Sequence, residues 1–248
     1  MASHPAARRL TEQFRRQQVQ LSARTVQLLI PLWRLLDWSD PTRPGGVDEW
    51  LTSAHLVVER SHAASIRTAA AYFTAFRGVE FGVPWQGAVP AVALSLEGLA
   101  TSLRTTGIAQ VRQMLRTGHP LERALDSGMI ASARAGSRWA LSGGRDTMFN
   151  LVTRDDQCLG WARAGRLRPC AFCAMLISRG PVYKTRESAL WRRGQEGDRY
   201  HDNCYCEPEP VYSVDQEWPA GSRRLHDLWQ ENKPRNLAEW QRIYEEAL

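Results

Sequence analysis

Five residues in the last third of the chain combine chemistry and spacing suited to holding a metal ion. They are Cys170 and Cys173, as Cys-x2-Cys, followed by His201, Cys204 and Cys206, as His-x2-Cys-x-Cys. Thiolate and imidazole match the ligand preference of zinc, and a Cys-x2-Cys turn lets two sulfurs reach one ion from a single tight loop. A tetrahedral shell takes four ligands, so one of the five is a spare or lies outside the shell. Cys204 is set last among them, on the expectation that it and Cys206 point to opposite sides of the chain. The candidate ligands fill the shell and leave no evident open position for water. The expectation is therefore one zinc ion, structural rather than catalytic.

Two other uses of these cysteines compete with zinc. A disulfide framework needs an oxidising compartment, but the chain opens MASHPAARRLTEQFRRQQ, without an apolar signal segment, and its cysteines number five. A thioredoxin-like redox site could use Cys170-Ala171-Phe172-Cys173. Such a site does not require a second Cys/His cluster, and zinc accounts for both. Cys158 stands apart, ahead of the first ligand pair, and reads as a small buried thiol.

The stretch CAFCAMLISRGPVYKTRESA followed by RYHDNCYC resembles the C-terminal module of MuF-like minor head proteins of tailed bacteriophages. That family's pattern is a Cys-x2-Cys knuckle, a variable insert, and His-x2-Cys-x-Cys before a final strand. It matches here at Cys170, Cys173, His201, Cys204 and Cys206; Asp202 stands where the family more often has proline, which alters the turn and spares every ligand. Gly136-Ser137-Arg138-Trp139 through Gly143-Gly144-Arg145-Asp146 is similar to the helical region before the knuckle. The resemblance is specific over about residues 130–212 and only architectural before them. It implies a virion protein of the phage head, associated with the portal protein and capsid shell near the portal vertex, and present in the host cytoplasm before assembly. Proteins of this kind often carry the label of capsid maturation protease.

The elements that must position these residues are mostly helical. The chain has 248 residues and 43 % apolar content, enough for a real core. No apolar run is long enough to span a membrane. A net charge of +6 permits contact with packaged DNA without establishing it. The basic side is almost wholly arginine, and the ten tryptophans are scattered as core or interface anchors. From about Pro5 to Trp38, Leu10, Phe14, Leu21, Leu28, Leu32 and Leu35 mark one face of a long helix, which Pro31 should kink or split. Arg8, Arg9, Arg15, Arg16 and Arg24 lie on the opposite face. A solvated polar face is their bland reading, and Arg8, Arg9, Arg15 and Arg16 are the candidates for contact with DNA or an acidic partner.

Asp37 to Gly46 forms the strongest break. A second helix then faces inward with Trp50, Ala54, Val57, Ser61, Ile66, Ala69, Phe73 and Phe76, while His55 and His62 read as polar-face histidines. Val92 to Leu115 is helical, with Thr105-Thr106-Gly107 as an interruption. Pro120 opens a helix that should end at Ser142-Gly143-Gly144, before a short helix over Asp146–Thr153. Leu159 to Leu167, Pro181 to Tyr183 and Glu207 to Tyr212 read as short strands. The tail from about Asp215 is acidic, with helices around Leu225–Glu231 and Leu237–Ala247 whose Trp229, Trp240 and Tyr244 dock back or grip a partner. The fold class expected is α+β, mainly α: a helical domain over residues 1–157, a zinc-stapled α/β module over 158–213, and a helical tail over 214–248.

Three functions compete on these grounds. The first is a structural minor head protein, as the resemblance implies, with no small-molecule substrate evident. The second is a capsid maturation protease. The six histidines are scattered, no Gly-x-Ser-x-Gly elbow is present, and a helical front half argues against a strand-rich protease fold. The third is a zinc-stapled nuclease built on His201-Asp202-Asn203, which lacks a closely spaced second histidine.

Overall fold

Helix α1 (Pro5–Leu29) shows how the chain builds its packing faces. The computed structural model describes residues 5–165, 168–181, 204, 206–219 and 221–248. The buried positions of α1 are Ala7, Thr11, Phe14, Gln18, Ser22, Thr25 and Leu29, at the three- and four-residue steps of a helix face. The leucine stripe predicted from the sequence is not that face: Leu28 is 47 % exposed, and Leu10 and Leu21 are only half-buried. Small polar residues win because Thr11, Gln18 and Ser22 have partners on neighbouring helices and Thr25 Oγ1 donates to the Leu21 carbonyl of its own helix. Thr11 Oγ1 lies 2.8 Å from Tyr72 Oη. Ser22 Oγ lies 2.7 Å from Ser137 Oγ, and Ser65 Oγ donates to Gln18 Oε1 at 2.8 Å. Pro31 acts as expected, since the chain tightens into a 3-10 helix over Ile30–Leu35.

Four more α-helices complete the helical front. Helix α2 spans Val47–Glu80 and α3 spans Leu96–Leu103, the latter capped by Ser95 Oγ, which accepts from Gly98 N. The interruption expected at Thr105-Thr106-Gly107 is a π turn over Arg104–Ile108, after which α4 runs over Ala109–Arg116. Helix α5 is continuous over Leu121–Arg154, so the break predicted at Ser142-Gly143-Gly144 does not occur. These glycines admit a neighbour instead. A Cβ on Gly144 would lie 2.5 Å from Ser65 Oγ and 2.9 Å from the Ser65 carbonyl. The Gly144 N–H donates to that same Ser65 Oγ at 3.0 Å. His62 is buried against Gly143 rather than on a polar face, which corrects the sequence reading.

The remaining elements are short. Strand β1 (Gly160–Ala164) pairs antiparallel with β2 (Glu207–Val211), from Gly160 opposite Val211 to Ala164 opposite Glu207. Helix α6 spans Ala171–Ile177, α7 spans Ser222–Asn232 and α8 spans Leu237–Glu246. Lys233, at φ 44°, turns the chain after α7, and the Asn236 side chain caps α8. The architecture is mainly α with one small sheet among the described residues, as expected. The strand predicted around Val182 and Tyr183 lies outside the described residues.

The chain divides into two compact units. One comprises Met1–Gln17, Thr68–Ala91 and Arg145–Leu248; the other comprises Gln18–Arg67 and Val92–Gly144. The three long helices α1, α2 and α5 each contribute to both. The second unit is all-helical, and its core includes Leu29, Trp33, Trp50, Val58, Leu99, Leu103 and Val111. In the first unit Phe14, Tyr72, Phe73, Phe76, Met148, Trp161, Met175 and Trp240 form one apolar cluster with Cys173, Cys204 and Cys206. Residues of the expected zinc module and of the tail therefore share a core with the first turns of α1.

Candidate metal centre

Cys170 ends an extended approach and caps α6, its Sγ accepting the Cys173 N–H at 3.4 Å. That bond orients the loop so that Cys173, on the first turn, points inward and is 3 % exposed. Cys204 and Cys206 arrive from the other direction, just ahead of β2. The three inner sulfurs form a triangle: Cys173 to Cys204 is 3.3 Å, Cys204 to Cys206 is 3.1 Å, and Cys206 to Cys173 is 3.0 Å. All three cysteines are buried.

Cys204 and Cys206 share a side, which corrects the expectation that they oppose each other. Residues two apart along an extended chain line one face, so the reason for setting Cys204 last fails. Cys170 is exposed and lies outside the inner group of three. Its thiol still reaches Cys173, where it is the largest influence on that group's protonation. His201 lies outside the described residues. Cys158 is separate from the group, with its Sγ donating to the Gly160 carbonyl at 3.1 Å and near the Val211 carbonyl at 3.5 Å. It is half-buried rather than buried as expected, and burial pushes its thiol up to about 11.

The sulfur triangle suits a soft divalent ion. Tetrahedral zinc at about 2.3 Å from each sulfur would set the sulfurs about 3.8 Å apart, so a small opening of the triangle admits it. The protonation pattern also points to metal binding. Cys204 is held well below the ordinary thiol range by hydrogen bonds from Cys173 and Cys206, with Arg145 and Arg163 nearby. Cys173 is pushed far up, first by its hydrogen bond with Cys170 and then by those with Cys204 and Cys206. For Cys206 the bond with Cys173 acts downward, but Cys204 and burial outweigh it and carry the thiol up to about 12. A thiol held low beside two held high is a set from which a cation could displace protons.

Charged residues surround the sulfurs, and the sheet register explains their placement. Arg163 is paired with Pro208 and lies on the same face of the sheet as Cys206. Its Nη1 donates to Cys206 Sγ at 3.7 Å. Glu207 and Glu209 occupy the other face, opposite Ala164 and Ala162. Arg145, from α5, donates through Nη2 to the Cys204 carbonyl at 2.7 Å and to Glu207 Oε1 at 3.3 Å. Arg145, Arg163 and Glu207 are each 2 % exposed or less. Burial pushes the Glu207 carboxyl up to about 7 against the pull of Arg145. Sequence reading missed these four residues. The available signal was charge inside strand-like segments, at Arg163 in GWARA and at both glutamates in EPEPV.

The tail supplies the rest of the scaffold. Trp240 Nε1 donates to the Ala171 carbonyl at 2.7 Å, and Tyr244 Oη donates to the Pro169 carbonyl at 2.7 Å. At the far end of α6, His226 Nδ1 lies 2.9 Å from the Ser178 carbonyl. Of the candidate partner-binding arginines, Arg8, Arg9 and Arg16 are exposed and Arg15 is half-buried. Arg8 pairs with Glu217, while Arg15 and Arg16 both pair with Glu12, at 2.7 and 3.5 Å. No helix among the described residues is long and apolar enough to cross a membrane.

No solved structure matches the chain significantly. The Gene 15 protein of Mycobacterium phage D29 is 33 % identical to it over an aligned stretch covering 28 % of this chain and 34 % of that protein. The match thus takes in about a third of that relative's length. The VG15 protein family matches residues 5–243, nearly the whole helical front together with the sulfur cluster and the tail. With a phage protein among its relatives and a family match of that extent, this chain belongs to the VG15 protein family, a family of bacteriophage proteins.

Proposed function

We propose that the protein is a structural minor head component of a phage virion, carried near the portal vertex and stapled by one zinc ion. The observation that carries the reading is the buried triangle of Cys173, Cys204 and Cys206, which joins the start of α6 to the start of β2. Zinc there would be held by these three thiolates and by a fourth ligand from Cys170 or His201. Bound, it supplies a cross-link between segments 31 residues apart in sequence. A link closing a loop of this size stabilises by about 3–4 kcal/mol on the chain-entropy argument. That is a large share of a domain's net stability, which is typically about 5–15 kcal/mol.

Membership of a phage protein family and the phage origin of the curated relative support the virion setting. The portal is the proposed partner. The exposed arginines of α1 are its proposed electrostatic contact, with packaged DNA as an additional one. Intramolecular pairing of Arg8, Arg15 and Arg16 favours a protein partner able to compete for them over a purely electrostatic grip on phosphate. The test is retention of the zinc-loaded protein on immobilised portal and on duplex DNA across a salt series. Binding to DNA should fall steeply with salt through counterion release, and docking to portal much less, because apolar helix faces would carry most of it beside the arginine contacts. Failure to bind either at low salt, together with a defined cleavage product from capsid protein, would replace the structural reading with a maturation protease.

A further inference from the structure

We infer that helix α8 is a built-in clamp on the first metal-binding loop, so that metal retention and docking of the C-terminal tail are thermodynamically linked. The inference deepens the metal reading above and rests on it. The carbonyls on either side of Cys170 are each taken by an aromatic side chain of α8. Tyr244 Oη donates to Pro169, the residue before, and Trp240 Nε1 donates to Ala171, the residue after, both at 2.7 Å. Both rings are buried, Trp240 completely. Trp240 stacks with Tyr244 at 5.8 Å between centroids and packs on Trp229 of α7 at 5.0 Å, so the two donors are held by one aromatic cluster.

The physical case concerns where order is needed. Cys170 is the exposed member of the knuckle, and its own Sγ bond to the Cys173 N–H fixes only the turn that follows it. The approach to that turn runs through Pro169, whose nitrogen cannot donate a hydrogen bond. The α8 side chains therefore supply what the loop's own backbone lacks, holding both flanking carbonyls. A site held within a fraction of an ångström by such supporting bonds binds more tightly than one that must order on binding. By linkage the effect runs both ways: a ligand that prefers the clamped loop must also stabilise the docked α8.

The test uses the full chain and two matched variants. Tyr244→Phe deletes the hydroxyl at the knuckle and keeps the ring. Tyr212→Phe deletes a comparable hydroxyl in the same unit, one that donates to Asp155 Oδ2 at 3.0 Å. Zinc per chain is measured first, then the rate of zinc transfer to a chromogenic chelator. Tyr244→Phe should accelerate transfer by about tenfold, the effect of one well-made hydrogen bond to a buried carbonyl. Tyr212→Phe should leave the rate within about twofold of the parent. In the parent, stripping the zinc should raise amide exchange in residues 237–246. Equal rates for Tyr244→Phe and the parent would overturn the clamp while leaving the metal reading intact. Equal acceleration by both variants would also overturn it, by showing loss of general stability instead. A parent chain that holds no zinc would overturn the metal reading, and the clamp with it.

Discussion

The substitution Glu209→Gln should remove a specific loss of stability at neutral and alkaline pH. Glu209 lies on β2 and is 5 % exposed; a hydrogen bond with Thr11 and the charge of Arg8 favour its ionised form, and Glu80 opposes it. Burial dominates and pushes the carboxyl from the ordinary 4.5 up to about 7. A carboxyl raised in the folded state favours folding while it is protonated in both states, and it loses that contribution as pH rises through the folded value. The window is therefore about pH 4.5 to 7. Between pH 5 and pH 8 the wild-type chain should lose about 2–3 kcal/mol relative to the glutamine variant, whose side chain is nearly the same shape and cannot ionise. The assay is urea unfolding of both zinc-loaded proteins at the two pH values, compared as a difference so that metal effects common to both cancel. Glu209 faces away from Cys206 across β2, so the substitution should spare zinc content. A stability difference that does not change with pH would refute the reasoning and show that the carboxyl keeps an ordinary acidity.

Two further outcomes follow from the packing. Cys204→Ser should abolish zinc binding and unfold the first unit in a metal titration followed by circular dichroism, whereas Cys158→Ser, which keeps a donor for the Gly160 carbonyl, should change stability by less than about 1 kcal/mol. Gly144→Ala would stabilise an ordinary helix interior by about 0.5–1 kcal/mol, but here the added Cβ meets the Ser65 backbone, so urea unfolding should show a net loss of about 1–3 kcal/mol.

The sequence shows its helices through period and its breaks through proline, yet misplaces which side of them is buried. On α1 the leucines look like the inner face because they are the large apolar residues. The inner face is instead Thr11, Gln18, Ser22 and Thr25 beside Ala7, Phe14 and Leu29. Thr11, Ser22 and the Gln18 amide oxygen are buried here because partners on other helices satisfy them, and Thr25 bonds to the Leu21 carbonyl of its own helix. Those partners, Tyr72, Ser65 and Ser137, lie 47 to 115 residues away in sequence. Local periodicity carries no information about such pairs. Gly143-Gly144 misleads for the same reason: glycine is punctuation in a loop, but inside α5 it is the space into which His62 and Ser65 fit.

The clustering of Cys173, Cys204 and Cys206 was legible as a spacing of soft ligands, because ligand chemistry is local and repetitive. Its surroundings were not, because they are built by register. Shifting β2 by one residue against β1 would carry Glu207 to the face of Arg163 and Cys206 to the opposite face. Arg163 would then turn away from Cys206, and Glu207 away from Arg145. The alternation of EPEPV explains how so short a strand holds its position: prolines at Pro208 and Pro210 face Arg163 and Trp161, and glutamates face the two alanines. Proline cannot donate to a ladder, so pairing through β2 depends on the residues between. Side-chain bonds from Arg145 to the Cys204 carbonyl and from Gln216 Nε2 to the Pro210 carbonyl, at 2.7 and 2.8 Å, hold the two ends of the segment. The sheet is too small to secure its own register. The buried cysteine cluster at its entrance and buried charges on both faces make a slipped register costly, because slippage would pull Arg145 and Arg163 from their partners in the core.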